Sequence, residues 1–213
     1  YEKGNPNLNP EESYQLDAGI HWGNDRLTIQ FDPYLNYFPN YIYMNPTPNY
    51  YEGLQWYYYT QSRVIRCGFE LQADWKILPS LSAEFKGEYL YAEQLSGEKK
   101  GYTLPFSTPW SADATLRYAF CRKNVGNEGF VAMNLHVTGR QNNIVPPEKP
   151  TPGYYTLNLT AGKDFAFGER TLRLSLNAEN LLNRKYYDHT SFYRLIDVPE
   201  PGRNVALMAT FEF

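Results

Sequence analysis

Cysteine, histidine and long apolar runs are scarce here, and each scarcity excludes something. Cysteine occurs only as Cys67 and Cys121. Cys67 alternates in phase with Ile65, Phe69 and Leu71; Cys121 continues the opposite phase after Arg117 and Ala119. A disulfide needs Cβ atoms within about 4.5 Å of each other. Opposite faces leave both cysteines unpaired. The histidines are His21, His136 and His189, and no two are spaced as metal ligands on one element. His21 reads as a surface residue near a strand end, and His136 as a hydrogen-bonded residue on a polar face. No metal or cofactor is expected. No apolar run nears the roughly 18 residues of a spanning helix. Basic residues do not outnumber acidic ones, 20 against 23. Nucleic acid, which selects a basic face, is therefore not an expected partner. There is no Gly-x-Ser-x-Gly motif and no phosphate loop. Glu84 and Glu88 look like a catalytic pair, but on a strand they stand about 13 Å apart. That exceeds the spacing of either glycosidase mechanism. With Lys86 between them they read as a charge network.

Tyrosine is abundant, with 20 copies, and aromatics make up 17% of the chain. Aromatic side chains suit a pleated surface. The apolar period is 2 throughout and never 3.6. Nine strands are expected, over residues 13–22, 26–38, 54–76, 81–94, 110–121, 129–140, 154–165, 170–181 and 203–213. The third is long, and its outer half, around Trp56 to Tyr59, is bulged or out of phase. Short turns at 23–25, 78–80, 122–128 and Gly168 alternate with long connections, the first being the Pro-, Asn- and Tyr-rich residues 39–53. Meander barrels of outer membranes have short turns on one side and long loops on the other. In mid-strand, one face carries Arg66, Glu70, Asp74, Glu84, Lys86, Glu88, Arg117, Arg173 and Glu179. Such charges are costly against lipid and tolerable against a wet lumen. A soluble β-sandwich with one wet face explains the alternation as well, but not the ordering of the loops. Complete barrels have an even strand count with both ends on one side. Nine strands therefore predict part of a barrel, and Tyr1 reads as an internal residue of a longer protein.

Three stretches carry a family resemblance. Near the end stand Asn177-Ala-Glu-Asn180-Leu-Leu-Asn183, Tyr186-Tyr187-Asp188-His189, Pro201-Gly202-Arg203-Asn204 and the final Phe213. Upstream lie Tyr102-Thr-Leu-Pro105-Phe-Ser-Thr-Pro109 and Asn5-Pro6-Asn7-Leu8-Asn9-Pro10-Glu11. Together and in this order they resemble TonB-dependent outer-membrane receptors. The resemblance implies an all-β, antiparallel meander, the C-terminal portion (about nine strands) of a 22-stranded transmembrane β-barrel. Residues 1–213 would be barrel only, with the family's plug domain absent from this chain. The implied function is energised uptake of a scarce solute, most often an iron chelate (siderophore) or haem. Copper, cobalamin or an oligosaccharide is the alternative cargo. An outer-membrane enzyme barrel and a soluble binding module are the alternatives of other classes. The implied location is the outer membrane of a Gram-negative bacterium. The implied partners are its lipid, the rest of the receptor with its plug, the TonB complex through that plug, and a small-molecule chelate. Phe213 would be the signal read during barrel assembly. Amphipathic aromatics near strand ends suit an interfacial girdle; those in mid-loop suit ligand contact. On that basis Tyr41, Tyr43, Tyr50 and Tyr51 in the first long connection, with Tyr186, Tyr187, His189 and Arg194 in the last, are the ligand-contact candidates. On the eighth strand Leu174 is expected to face lipid and Ser175 the lumen.

Overall fold

A computed structural model describes residues 1–120 and 128–212. Cys121 and Phe213, with the expectations attached to them, lie outside the described residues; Cys67 is a free thiol. The strands are β1 (Glu2–Lys3), β2 (Tyr14–Asp17), β3 (Ile20–Gly23), β4 (Leu27–Tyr51), β5 (Leu54–Leu78), β6 (Leu81–Gln94), β7 (Ser111–Phe120), β8 (Gly129–Thr138), β9 (Tyr154–Phe167), β10 (Arg170–Glu179) and β11 (Asn204–Glu212). They form one 11-stranded sheet in which sequence neighbours pair antiparallel from β4 to β11. Its two ends do not pair, so the barrel is not closed among the described residues. The 3₁₀ turn Phe192–Ile196 is the helical element among the described residues.

Three features depart from the expected pattern. Residues 13–22 form β2 and β3 rather than one strand. Both pair with β4 in one continuous register, Leu16 opposite Leu35 and Ile20 opposite Phe31. Pro33 accounts for the break. Ala18 N–H donates to Pro33 O at 3.1 Å, but proline has no N–H to return the bond. The second departure is larger. Residues 39–53 are not a loop; β4 continues to Tyr51 and turns tightly into β5 through Glu52 and Gly53, both at positive φ. Prolines here suggest a break in sequence, yet proline is tolerated on an edge strand. Beyond Tyr37, β4 is such an edge, because β2 ends there. The register slips between Phe38 and Tyr41 and again between Pro46 and Tyr50. The expected irregularity thus falls on β4 rather than on β5. Third, β1 adds to β5 in parallel, Glu2 beside Tyr57, where β6 no longer covers it.

The two faces differ as the period-2 pattern requires. Leu116, Met133, Leu135, Val205, Leu207 and Phe211 lie on one face and are exposed, Leu207 at 75%. No other layer of the described residues covers them. A soluble sandwich would bury this face, and that alternative is thereby set aside. The other face carries polar rungs that cross strand after strand. One runs Gln30, Gln72, Lys86, Asp113, His136, Thr156 across β4 to β9. Lys86 Nζ meets Glu84 at 2.7 Å, and Glu88 accepts from Ser111 Oγ at 2.8 Å. These carboxylates serve a lining network, as their spacing implied. His136 also lines this face, between Asp113 Oδ2 at 3.0 Å and Thr138 Oγ1 at 2.9 Å. Close approach fixes Gly68: a Cβ there would run into the backbone carbonyl of Tyr89 on β6, and would also crowd the Tyr34 hydroxyl of β4. The small core of Tyr43, Val64, Ala92 and Leu104 sits where the connection after β6 folds over the sheet.

Candidate functional site

The connections after β6, β8 and β10 come together at one end of the sheet. Their base is held by asparagine. Asn134 Nδ2 donates to Asp113 Oδ1 and Thr115 Oγ1. Asn158 Nδ2 donates to Asn134 Oδ1 at 3.0 Å, and Asn180 N–H donates to Asn158 Oδ1 at 2.9 Å. The relay passes from strand interior to the root of the last loop. Asn180 has φ of 47°, which asparagine tolerates better than most residues. Its side chain accepts from Arg184 N–H at 2.8 Å and donates to Arg184 O and Pro201 O. Asn180→Ala should make opening of residues 181–203 easier by about 2 kcal/mol, from lost hydrogen bonds to buried partners. Asn180→Gly should cost less, because it keeps the positive φ at ease. Amide exchange over that loop checks both, and unchanged exchange in Asn180→Ala would refute the assignment.

Above this root the three connections are tied by one ion pair. Arg194 NH2 meets Glu148 Oε1 at 2.8 Å, with the two side chains 5% and 2% exposed. Glu148 Oε1 also accepts the Phe106 N–H at 3.1 Å. Arg194 Nε donates to the carbonyl of His189 at 2.6 Å, and its guanidinium lies 5.2 Å from the centre of the Phe106 ring. Phe106 packs on Phe192 at 4.6 Å and on Tyr57 at 6.3 Å. It holds φ at 56°, rare for a bulky residue and a mark of a position held by its surroundings. Gln141 Nε2 donates to Ser107 O, and Lys99 Nζ to Pro146 O, each at 2.8 Å. Burial pushes the Glu148 carboxyl up, and the Phe106 N–H and the Arg194 guanidinium pull it back only in part. Burial pushes the His189 imidazole down to about 4; Arg194 adds to the fall and Asp188 opposes it.

The eight candidate residues separate into three groups. Tyr186, His189 and Arg194 belong to the clasp. Tyr186 stacks on Tyr154 at 4.2 Å, His189 is 1% exposed, and Tyr187 stands beside them with its hydroxyl 3.5 Å from Asp197 O. Tyr41 and Tyr43 border a hollow with Arg66, Leu90, Phe106 and Thr108. Tyr43 is buried there and donates to Gln94 Oε1 at 2.6 Å. Tyr50 and Tyr51 stand apart, exposed at the tip of the β4–β5 hairpin. The four tyrosines expected in mid-loop are therefore all on β4. Phe106 and Glu148 are the hub, and neither was a candidate. Their sequence signal was slight, a phenylalanine inside the Pro105–Pro109 motif and one acid among Pro146, Pro147 and Pro150. The hollow offers aromatic faces, hydroxyls and a guanidinium, a surface suited to holding a solute rather than to attacking one.

A meander sheet with one bare apolar face, one polar face and loops clasped at one end is part of the wall of a transmembrane β-barrel. A model of the family described as "TonB dependent receptor-like, beta-barrel" matches residues 1–181. The chain belongs to the TonB-dependent receptor family, a family of transport receptors rather than enzymes. Its fold is similar to that of the copper transporter OprC, at 19% identity and a TM-score of 0.78 over 94% of this chain and 31% of that one. It is also similar to the ferric yersiniabactin uptake receptor FyuA from Yersinia pestis, at 16% identity and a TM-score of 0.65 over 95% and 30%. BauA, the ferric preacinetobactin receptor from Acinetobacter baumannii, aligns at 14% identity and a TM-score of 0.72 over 96% and 30%. The chain thus spans about a third of the length of these proteins. At such identities the likeness concerns the fold.

Proposed function

We propose that this chain is the C-terminal wall and outer-loop rim of an outer-membrane receptor of a Gram-negative bacterium. The receptor imports a scarce solute, an iron chelate or haem, with energy delivered by the TonB complex through a plug that these residues do not include. The family match over residues 1–181 carries the reading. The bare apolar face supports the membrane setting, since a barrel strand shows every second side chain to lipid. The clasped connections would then lie outside the cell, with the hollow beside Phe106 and the hairpin tip as the surfaces a solute meets first. Tyr41, Tyr50, Tyr51 and Tyr187 are the contact residues under this proposal; Tyr43, Tyr186, His189 and Arg194 set the shape of the rim.

The test uses the full-length receptor in cells lacking their own copy, with and without the TonB complex. Labelled ferric chelates, haem iron and copper are supplied separately. Uptake of iron as chelate or haem that disappears without TonB is the expected result. Copper accumulation without iron uptake would replace the cargo. Uptake that persists without TonB would overturn the mechanism.

A further inference from the structure

The clasp holds two buried polar atoms that have no partner, His189 Nε2 and Glu148 Oε2. His189 is among the most buried large side chains of the protein. Its Nδ1 shares a hydrogen bond with Thr151 Oγ1 at 3.0 Å, so the ring joins the last connection to the one after β8. Its own carbonyl receives Arg194 Nε, the same guanidinium that holds Glu148. A proton added to this ring would place a second positive charge beside Arg194. Nothing among the described residues accepts a hydrogen bond at Nε2, and at 1% exposure water has little access. Unpaired buried charge is costly, and a protein relieves it by neutralising the group or opening the site.

We propose that the clasp is an acid-sensitive latch, shut at neutral pH and released when His189 takes up a proton, which frees the last outer connection from the one after β8. The charged groups around the ring favour release. On its own connection, Arg194 opposes protonation and Asp188 favours it. Asp188 is already engaged, accepting from Thr190 N–H and Oγ1 and, at 3.2 Å, from the Tyr154 hydroxyl of β9. From the connection after β8 comes Glu148, which is committed to Arg194. The connection after β6 contributes Phe106, which brings no charge. From β5 comes Tyr57, whose ring lies against Phe106. The sign follows from the depressed imidazole. Its stabilisation is complete above the ordinary histidine value of about 6.5. It is lost as pH falls toward the folded value of about 4. Glu148, displaced upward by burial, works in the opposite direction, and His189→Gln separates the two.

The experiment reads the latch itself and not uptake, so it stands or falls separately from the transport reading. Intact receptor in mild detergent is followed by hydrogen exchange, corrected for the intrinsic pH effect, over residues 183–203. Protection there should fall about tenfold between about pH 7.5 and about pH 5.5. His189→Gln, which cannot charge, should abolish that dependence. Equal protection of the native receptor at both pH values would overturn the proposal, as would the same acid loosening in His189→Gln. A direct titration of the His189 ring by NMR in the unsubstituted receptor needs no variant. A midpoint well below the ordinary value supports the latch, and an ordinary midpoint overturns it.

Discussion

Arg194→Ala should cost the outer clasp about 3–5 kcal/mol, the usual penalty for leaving one partner of a buried ion pair behind. The arithmetic rests on Glu148. Its side chain is 2% exposed, its Oε2 has no hydrogen-bond partner at close range, and without Arg194 the carboxylate is left with backbone groups of Phe106 and Val145 and no opposite charge. The damage should spread to the connections after β6 and β8, because Glu148 touches both. Two further results separate this from a simple loss of packing. Removing both charges, as Arg194→Met with Glu148→Leu, should recover most of the loss, since an apolar pair of similar volume is often neutral where an ion pair is buried. The single variant should also regain stability in acid. A carboxyl raised by burial binds its proton more tightly when folded, so its penalty is relieved at low pH and returns as pH rises through the folded value. Exchange protection of the three connections, measured as a double-mutant cycle, checks all three results. A single variant as well protected as the parent would show that the ion pair is ornamental.

On β10, Leu174→Arg should destabilise the receptor by about 2–4 kcal/mol more than Ser175→Arg. The two positions are adjacent in sequence and opposite in environment. Leu174 pairs with Ala209 and Lys163 on the apolar face; Ser175 pairs with Met208 and Gly162 on the polar face. Ser175 lines the hollow that also holds Asp164 and Arg173, where a longer cation can find solvent. Lys163 sharpens the contrast, because its ammonium lies over the Phe120 and Phe165 rings. A second cation beside it would meet repulsion as well as lipid. Unfolding in lipid vesicles measures the difference, and equal or inverted costs would reverse the assignment of the two faces.

The alternation was legible wherever a strand obeys its period without interruption. The 81–94 prediction coincides with β6, and the mid-strand charges expected on one face, from Arg66 to Glu179, share that face in the observed register. It misled where proline intervened. Proline marks a break in most contexts, and only knowledge of the missing neighbour shows that β4 can carry Pro39, Pro46 and Pro48 as an edge. The clasp was half visible. His189 and Arg194 stood out through the motif around them, but their partners did not. Glu148 lies 46 residues from Arg194 and 42 from Phe106, and no local pattern records a pairing of that range. Burial was the other hidden quantity. Tyr43 and His189 have the composition of contact residues, and the structure spends them on hydrogen bonds inside the rim.

The prolines of β4 have a consequence for how this receptor lives among its copies. The Ile42 N–H points away from β5, because it donates to Glu11 Oε2 at 2.9 Å. Counting by twos along the unbroken register, the outward amide at position 46 belongs to Pro46, which has no hydrogen to offer. One outward donor is thus occupied from within the chain and another is missing. A strand that rises past its neighbours would otherwise be a template for a stranger's backbone. A neighbour's strand would therefore meet an interrupted ladder along this edge, with Met44 between the two blocked positions.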